Sequence, residues 1–381
     1  MTTSSPVHAR WAVTAIFFLH GLVIGAWVPH VPLAMERLGV GPGVFGLALL
    51  AFAGGAVCAM PLAGVLINHY GSARMTTVTG LLLGLMFLGP VLAPTLPLFI
   101  AAGFLFGGTI GSMDVAMNSH GIAVEKHLRL PTMSLFHGGF SVGGMVGAFL
   151  GAALLHLFGP LTEALIAAAI CTGFLSIAVR YLLPASVDKG LSGTHFAWPT
   201  GATIGLGFLC FLALMIEGSI LDWGAIMMRE KFLVDASFAA LAFGFYQGGM
   251  AVARITGDKL RMTFGAVRLV VVSALMAAAG TALALSVTSP WVAIAAFVFA
   301  GLGIGNVAPV LFAGGGRLEP DAPGRGIAAV TTLGYMGFLA GPPLIGFAAE
   351  IVTLPWALGL TVLASLIIAA FARTVDAADT F

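Results

Sequence analysis

The sequence predicts an all-α membrane protein with twelve transmembrane helices in two similar six-helix bundles. Three observations carry that prediction. Of 381 residues, 59% are hydrophobic and 8% charged, whereas a soluble domain carries about 25% charged residues. Apolar runs recur along the chain at about 20 residues each, the length that crosses roughly 30 Å of hydrocarbon. The two halves also match each other at one constant spacing, so that Gly107 and Gly111 fall on Gly301 and Gly305.

Polar or Pro/Gly-rich breaks set the spans in order. Span 1 covers 11–31 and is followed by "PLAMERLGVGP". Spans 2 and 3 cover 43–68 and 75–93, on either side of "HYGSAR". Span 4, 97–123, begins after a proline turn and ends before "VEKHLRLP". Spans 5 and 6, 132–157 and 162–183, flank "FGPL". Spans 7 and 8 cover 200–223 and 236–257, and spans 9 and 10 cover 267–287 and 291–313. Spans 11 and 12, 326–349 and 355–373, close the chain. Residues 184–199, polar and rich in Ser, Gly and Pro, read as a linker between bundles 1–183 and 200–381.

An even number of spans puts both termini on one side. Of the 16 Lys and Arg, 13 then fall on the terminus-bearing face; Arg37, Arg229 and Lys231 fall on the other. Basic loops stay inside, so the termini are expected in the cytoplasm and the chain in the cytoplasmic (inner) membrane. The run from Trp11 is too long for a signal h-region and lacks a convincing cleavage site. The formal charge of +1 gives no footprint for a nucleic acid. Cys58, Cys171 and Cys210 fall within spans without metal spacing and read as small core residues.

The repeat extends beyond the two glycine pairs. Gly54 and Gly55 fall on Gly248 and Gly249, Tyr70-Gly71 on Phe264-Gly265, and Arg74 on Arg268. Gly143 and Gly147 fall on Gly337 and Gly341. Repeats of this kind build transporters, with a midplane site at the repeat interface.

Ionisable groups at mid-bilayer cost about 2.5–3.5 kcal/mol on insertion scales and are functional candidates by default. His20 lies about 15 Å into span 1 and Asp114 about 16 Å from the charged end of span 4. Asn118, four residues after Asp114, shares its helix face. His137 lies within two turns of the start of span 5. Gln247 and Asn306 are central in spans 8 and 10. Glu217 and Asp222 lie nearer the outer surface of span 7, with Trp223 as an interfacial anchor. Trp27 reads as a belt residue or a ligand platform. Arg254 and Asp258 are spaced i,i+4 at the cytoplasmic end of span 8, as an ion pair holding a gate.

Across nearly its whole length the chain resembles the major facilitator superfamily. The stretch "GVLINHYGSAR" resembles that family's loop between spans 2 and 3. Gly64, Gly71 and Arg74 are in place, while Asn68 and His69 stand where the family has an acid and a base. The resemblance implies gating roles for Asn68 and Arg74. "DVAMN", Asp114 to Asn118, is similar to the fucose:proton symporter branch, where the acid in span 4 takes part in proton coupling and sugar binding. That branch also has an acid in span 1 before a proline. Here "GLVIGAWVPHVP" has none, and His20 is the only titratable group deep in that span.

The expectation is a proton-coupled carrier working by alternating access, taking a small molecule and needing no cofactor, as a monomer in the bilayer. Asp114, His20 and His137 would handle protons. Asn118, Gln247, Asn306, Glu217 and Trp27 would meet substrate. The alternatives are a proton-driven exporter of amphiphiles and a divalent metal carrier using His20, Asp114 and His137. The chain has no Walker loop, His-Glu-x-x-His or Gly-x-Ser-x-Gly motif, which weighs against a membrane enzyme.

Overall fold

The structure, a computed structural model, describes residues 5–130, 132–189, 197–319 and 322–379. It is helical throughout, without strands among the described residues. The helices are α1 (Pro6–Trp27), α2 (His30–Leu38), α3 (Pro42–Tyr70), α4 (Ser72–Leu92), α5 (Leu96–Leu128), α6 (Met133–Ala178), α7 (Ile204–Phe232), α8 (Ala236–Phe264), α9 (Ala266–Ser286), α10 (Pro290–Ile304), α11 (Val307–Leu318), α12 (Pro323–Ile351) and α13 (Leu354–Ala370). Among the described residues, ten stretches are long and apolar enough to cross a membrane. One of them, Met133–Tyr181, contains two spans, because Gly159 leaves helical geometry (φ 78°) just before Pro160. With the shorter apolar helix Leu354–Ala370, the twelve expected spans are accounted for.

Local chemistry sets the helix starts. Ser5 and Asp235 accept from the backbone N–H of His8 and Phe238 at the heads of α1 and α8. Such side-chain caps satisfy donors that the first turn leaves open. Some helices outrun the sequence-based boundaries. α7 continues past Trp223 to Phe232, and α8 past Gly257 to Phe264. A single charge does not end a helix, since its backbone bonds are unaffected, so charged residues are weak stop signals.

The chain forms two compact units, Met1–Leu38 with Ala51–Gly193, and Gly39–Leu50 with Thr194–Phe381. Thus the first turns of α3 group with the second unit. There Gly43 N–H donates to Glu350 Oε1 at 3.0 Å. Of the expected linker, Ala185–Val187 forms a short 3₁₀ turn, and residues 190–196 lie outside the described residues.

Equivalent contacts recur in the two units. A methyl group added at Gly107 would overlap the Phe52 carbonyl oxygen, and one added at Gly301 the Tyr246 carbonyl oxygen. Gly55 meets the Phe104 carbonyl as Gly249 meets that of Val298. Close backbone approach through small residues is how membrane helices pack without a hydrophobic drive. Gly71 and Gly265 both sit at positive φ (85° and 79°), which glycine adopts at no steric cost. After each, a distant aspartate caps the next helix. Asp188 Oδ1 accepts from Ser72 N–H at 3.1 Å, and Asp379 Oδ2 from Ala266 N–H at 2.6 Å. At the other end of those helices, Arg37 donates to the carbonyls of Pro90, Val91 and Ala93 at 2.7–3.0 Å. Lys231 donates to the Leu285 carbonyl in the equivalent place.

Candidate functional site

In the first unit, α5 carries Asp114 and Asn118 one turn apart. The Asn118 amide donates to the Asp114 carbonyl oxygen at 2.9 Å and to its carboxylate Oδ1 at 3.1 Å. Both side chains are half-buried. The i,i+4 spacing thus orients one carboxylate oxygen, and an amide can donate to a carboxylate or accept from a carboxylic acid.

His20 and His137 both stand on the interface of α1 with α6. His20 is buried, its ring in an edge-on contact with Phe140, and neither ring nitrogen has a hydrogen-bond partner among the described residues. His137 lies edge-on to Phe17 at 5.3 Å. Trp27 is buried in an aromatic cluster with His30, Phe52 and Phe99. Asn68 and Arg74 are exposed near the turn that joins α3 to α4.

A pairing that the sequence reading did not single out lies beside Trp27. His30 Nε2 bonds Glu163 Oε2, with side-chain exposures of 1% and 0%. Phe87 presents a ring edge to His30. His30 starts α2, just after the break that ends α1, and Glu163 follows the Gly159–Pro160 break of α6. The signal was two polar residues beside proline breaks, which also mark ordinary loops.

His120 has a defined tautomer. Leu183 N–H donates to its Nε2 at 3.1 Å, so Nδ1 carries the proton and donates to Ser72 Oγ at 2.8 Å. This binds the segment after α6 to α4 and α5.

In the second unit, the structure brings Arg254 to Glu217. Arg254 Nη2 lies 3.4 and 3.5 Å from the two carboxylate oxygens of Glu217. Glu217 lies about 20 Å along α7 from Ile204, near the helix middle rather than its outer end. Arg254 lies about 15 Å inside the C-terminal end of α8. Asp258 is exposed one turn further on. The phenol of Tyr246 is buried, has no hydrogen-bond partner among the described residues, and is within electrostatic reach of both Glu217 and Arg254. Gln247 is buried with its carbonyl oxygen unpartnered among the described residues. Asn306 occupies the break between α10 and α11, its amide facing Gly257. Trp223 is fully buried against Phe45, which corrects its reading as an interfacial anchor. Cys171 and Cys210 are buried, whereas Cys58 is exposed, not a core residue. No group of three His, Cys, Asp or Glu suited to a metal occurs among the described residues, so nothing there supports the metal-carrier alternative.

Comparison with known proteins agrees with this architecture. The family model described as Major Facilitator Superfamily matches residues 13–205. An uncharacterized MFS-type transporter of Yersinia pestis is 37% identical over 360 residues, 94% of each chain. The solved nucleoside transporter NupG superposes with a TM-score of 0.73 at 15% identity, covering 96% of this chain and 98% of its own. A point variant of the E. coli fucose:proton symporter FucP gives 0.66 at 16% identity, covering 97% and 99%.

Proposed function

This chain belongs to the major facilitator superfamily, and on that premise we propose that it is a proton-coupled carrier of a small solute, working by alternating access in the cytoplasmic membrane. It acts as a monomer with both termini in the cytoplasm. The observation that carries the reading is the Asp114–Asn118 pair. A carboxylate inside a 33-residue apolar helix is costly when charged and uncompensated. It is therefore retained where it changes protonation during a cycle. Asn118 keeps a hydrogen bond to Asp114 in either protonation state, so the proton can leave without disturbing the helix. The fold likeness to a fucose:proton symporter supports the same chemistry. His20 and His137 adjust the proton site, and Asn118, Gln247, Asn306, Glu217 and Trp27 contribute to solute binding. Asn68, Arg74, Arg254 and Asp258 serve the gates.

The test is accumulation in proteoliposomes. A library of labelled sugars, nucleosides and organic acids is offered with an imposed pH gradient. Wild-type protein should concentrate one class of solute, and collapse of the gradient should abolish the accumulation. Accumulation indifferent to the gradient would remove the proton from the scheme.

A further inference from the structure

We infer that Glu217, Arg254 and Tyr246 form an anion-recognition site in the second unit, and that the transported solute carries a single negative charge, taken up together with one proton held by Glu217. The inference rests on the carrier reading above and specifies its substrate class.

The argument starts from Arg254. A guanidinium stays charged at any working pH, and within a membrane span it needs a compensating anion. In the structure Glu217 is such an anion, at 3.4 Å. The exposures are 10% for Arg254 and 14% for Glu217, so the pair is largely withdrawn from its surroundings without being sealed. Arg is suited to hold a carboxylate through two parallel N–H bonds. The observed geometry is looser, with one terminal nitrogen against both oxygens at 3.4–3.5 Å. A loosely held internal carboxylate is a replaceable occupant.

Replacement has a charge consequence. If a solute carboxylate takes Arg254, Glu217 is left as a charged group without its partner. A lone charge in a low dielectric is expensive, and taking up a proton removes it. The balanced exchange is Glu217 carboxylate plus a proton plus solute carboxylate, giving Glu217 carboxylic acid and an Arg254–solute ion pair. The charge of the site does not change, and one proton enters with each monoanion. Tyr246 supplies the remaining polar contact. Its buried hydroxyl, without a hydrogen-bond partner among the described residues, can donate to the solute oxygen or to Glu217.

The other ionisable groups are few. On α7, Cys210 feels the Glu217 charge, Asp222 lies five residues on, and Arg229, Glu230 and Lys231 lie at the helix end. On α8, Tyr246 and Arg254 face it, with Asp258 one turn beyond Arg254 and Lys259 and Arg261 towards the helix end. From α12, Phe338 packs beside Gly218; the ionisable groups of that helix are Tyr335, with Arg325 and Glu350 towards its two ends. α11 carries only Arg317 and the 3₁₀ segment after α13 carries Arg373, Asp376 and Asp379, while α10 and α13 carry no ionisable side chain.

Detergent-purified full-length protein suffices for the test, with acetate as the smallest carboxylate and acetamide as its neutral counterpart. Phenylglyoxal labelling of Arg254 is followed by peptide mass spectrometry. Glu217→Gln should label about tenfold faster than wild type, the factor expected for losing one competing interaction of about 1.4 kcal/mol. Acetate should suppress that labelling and acetamide should not. Should Glu217→Gln fail to fold, Glu217→Asp retains the charge on a shorter arm, and protection by acetate over acetamide must still appear. In weakly buffered solution, acetate should draw about one proton per wild-type molecule and none per Glu217→Gln molecule, as linkage requires. Equal protection by acetate and acetamide overturns the anion site. Protection without proton uptake in wild type overturns the exchange. Neither readout involves flux, so these failures are separate from failure of the carrier reading, which proteoliposome accumulation decides.

Discussion

His30 and Glu163 bond to each other in the interior of the first unit, each with at most 1% of its side chain exposed. The bond links two interruptions, the break between α1 and α2 and the Gly159–Pro160 break in α6. Removing one partner of such a pair strands the other without solvent. Glu163→Ala should therefore destabilise by about 3–5 kcal/mol. The double replacement His30→Phe with Glu163→Leu should recover part of that loss, because it leaves no buried charge. Thermal melts of the single and double variants in one detergent provide the measurement; a double variant as unstable as the sum of the singles would contradict it.

Gly107 and Gly301 abut the backbone carbonyls of Phe52 and Tyr246. Each alanine substitution forces backbone apart, at a cost of about 1–3 kcal/mol for overpacking. Gly54, which has open space around its added methyl, is the control. Gly54→Ala should leave the melting temperature within error, whereas Gly107→Ala and Gly301→Ala should both lower it.

His120 receives the Leu183 amide at 3.1 Å. His120→Leu removes two hydrogen bonds, the one from the Leu183 amide and the one to Ser72 Oγ, each worth about 0.5–1.5 kcal/mol net. Hydrogen exchange at Leu183 should then speed up by about tenfold. Peptides from α9, in the second unit, should exchange as in wild type.

Asp114→Asn preserves the acceptor that Asn118 uses, since an asparagine carbonyl occupies the place of Oδ1. The variant should melt within about 0.5 kcal/mol of wild type yet lose pH-gradient-driven accumulation. A large loss of stability with coupling retained would make Asp114 a structural hydrogen bond instead.

Composition and repeat made the architecture legible, because lipid leaves a chain few choices. A spanning segment must be helical and apolar for about 20 residues. The glycine spacing carried the rest, since Gly107 and Gly301 proved to meet equivalent carbonyls. Side-chain partnerships were less legible. Asp114 and Asn118 were found because both lie on one helix, where spacing fixes geometry. Arg254 was read with Asp258 for the same reason, and its contact with Glu217, 37 residues away, has no local signature. His30 and Glu163, 133 residues apart, are still less visible. Trp223 misled because amphipathic tryptophans favour membrane interfaces, while this one fills a packed interior.

Arg37 and Lys231 occupy matching places, each directed at the carbonyl end of a neighbouring helix. The C-terminus of a helix carries about half a negative charge, so each cation is partly offset where it stands. They account for two of the three basic residues assigned to the face away from the termini. Counted as letters, that face has three positive charges; as an electric field reaching outward, it has less. On the sidedness expected from the sequence, the contrast between the two faces is therefore larger than a count of basic residues suggests. With that sidedness, an anionic lipid surface would attract the terminus-bearing face more than the other.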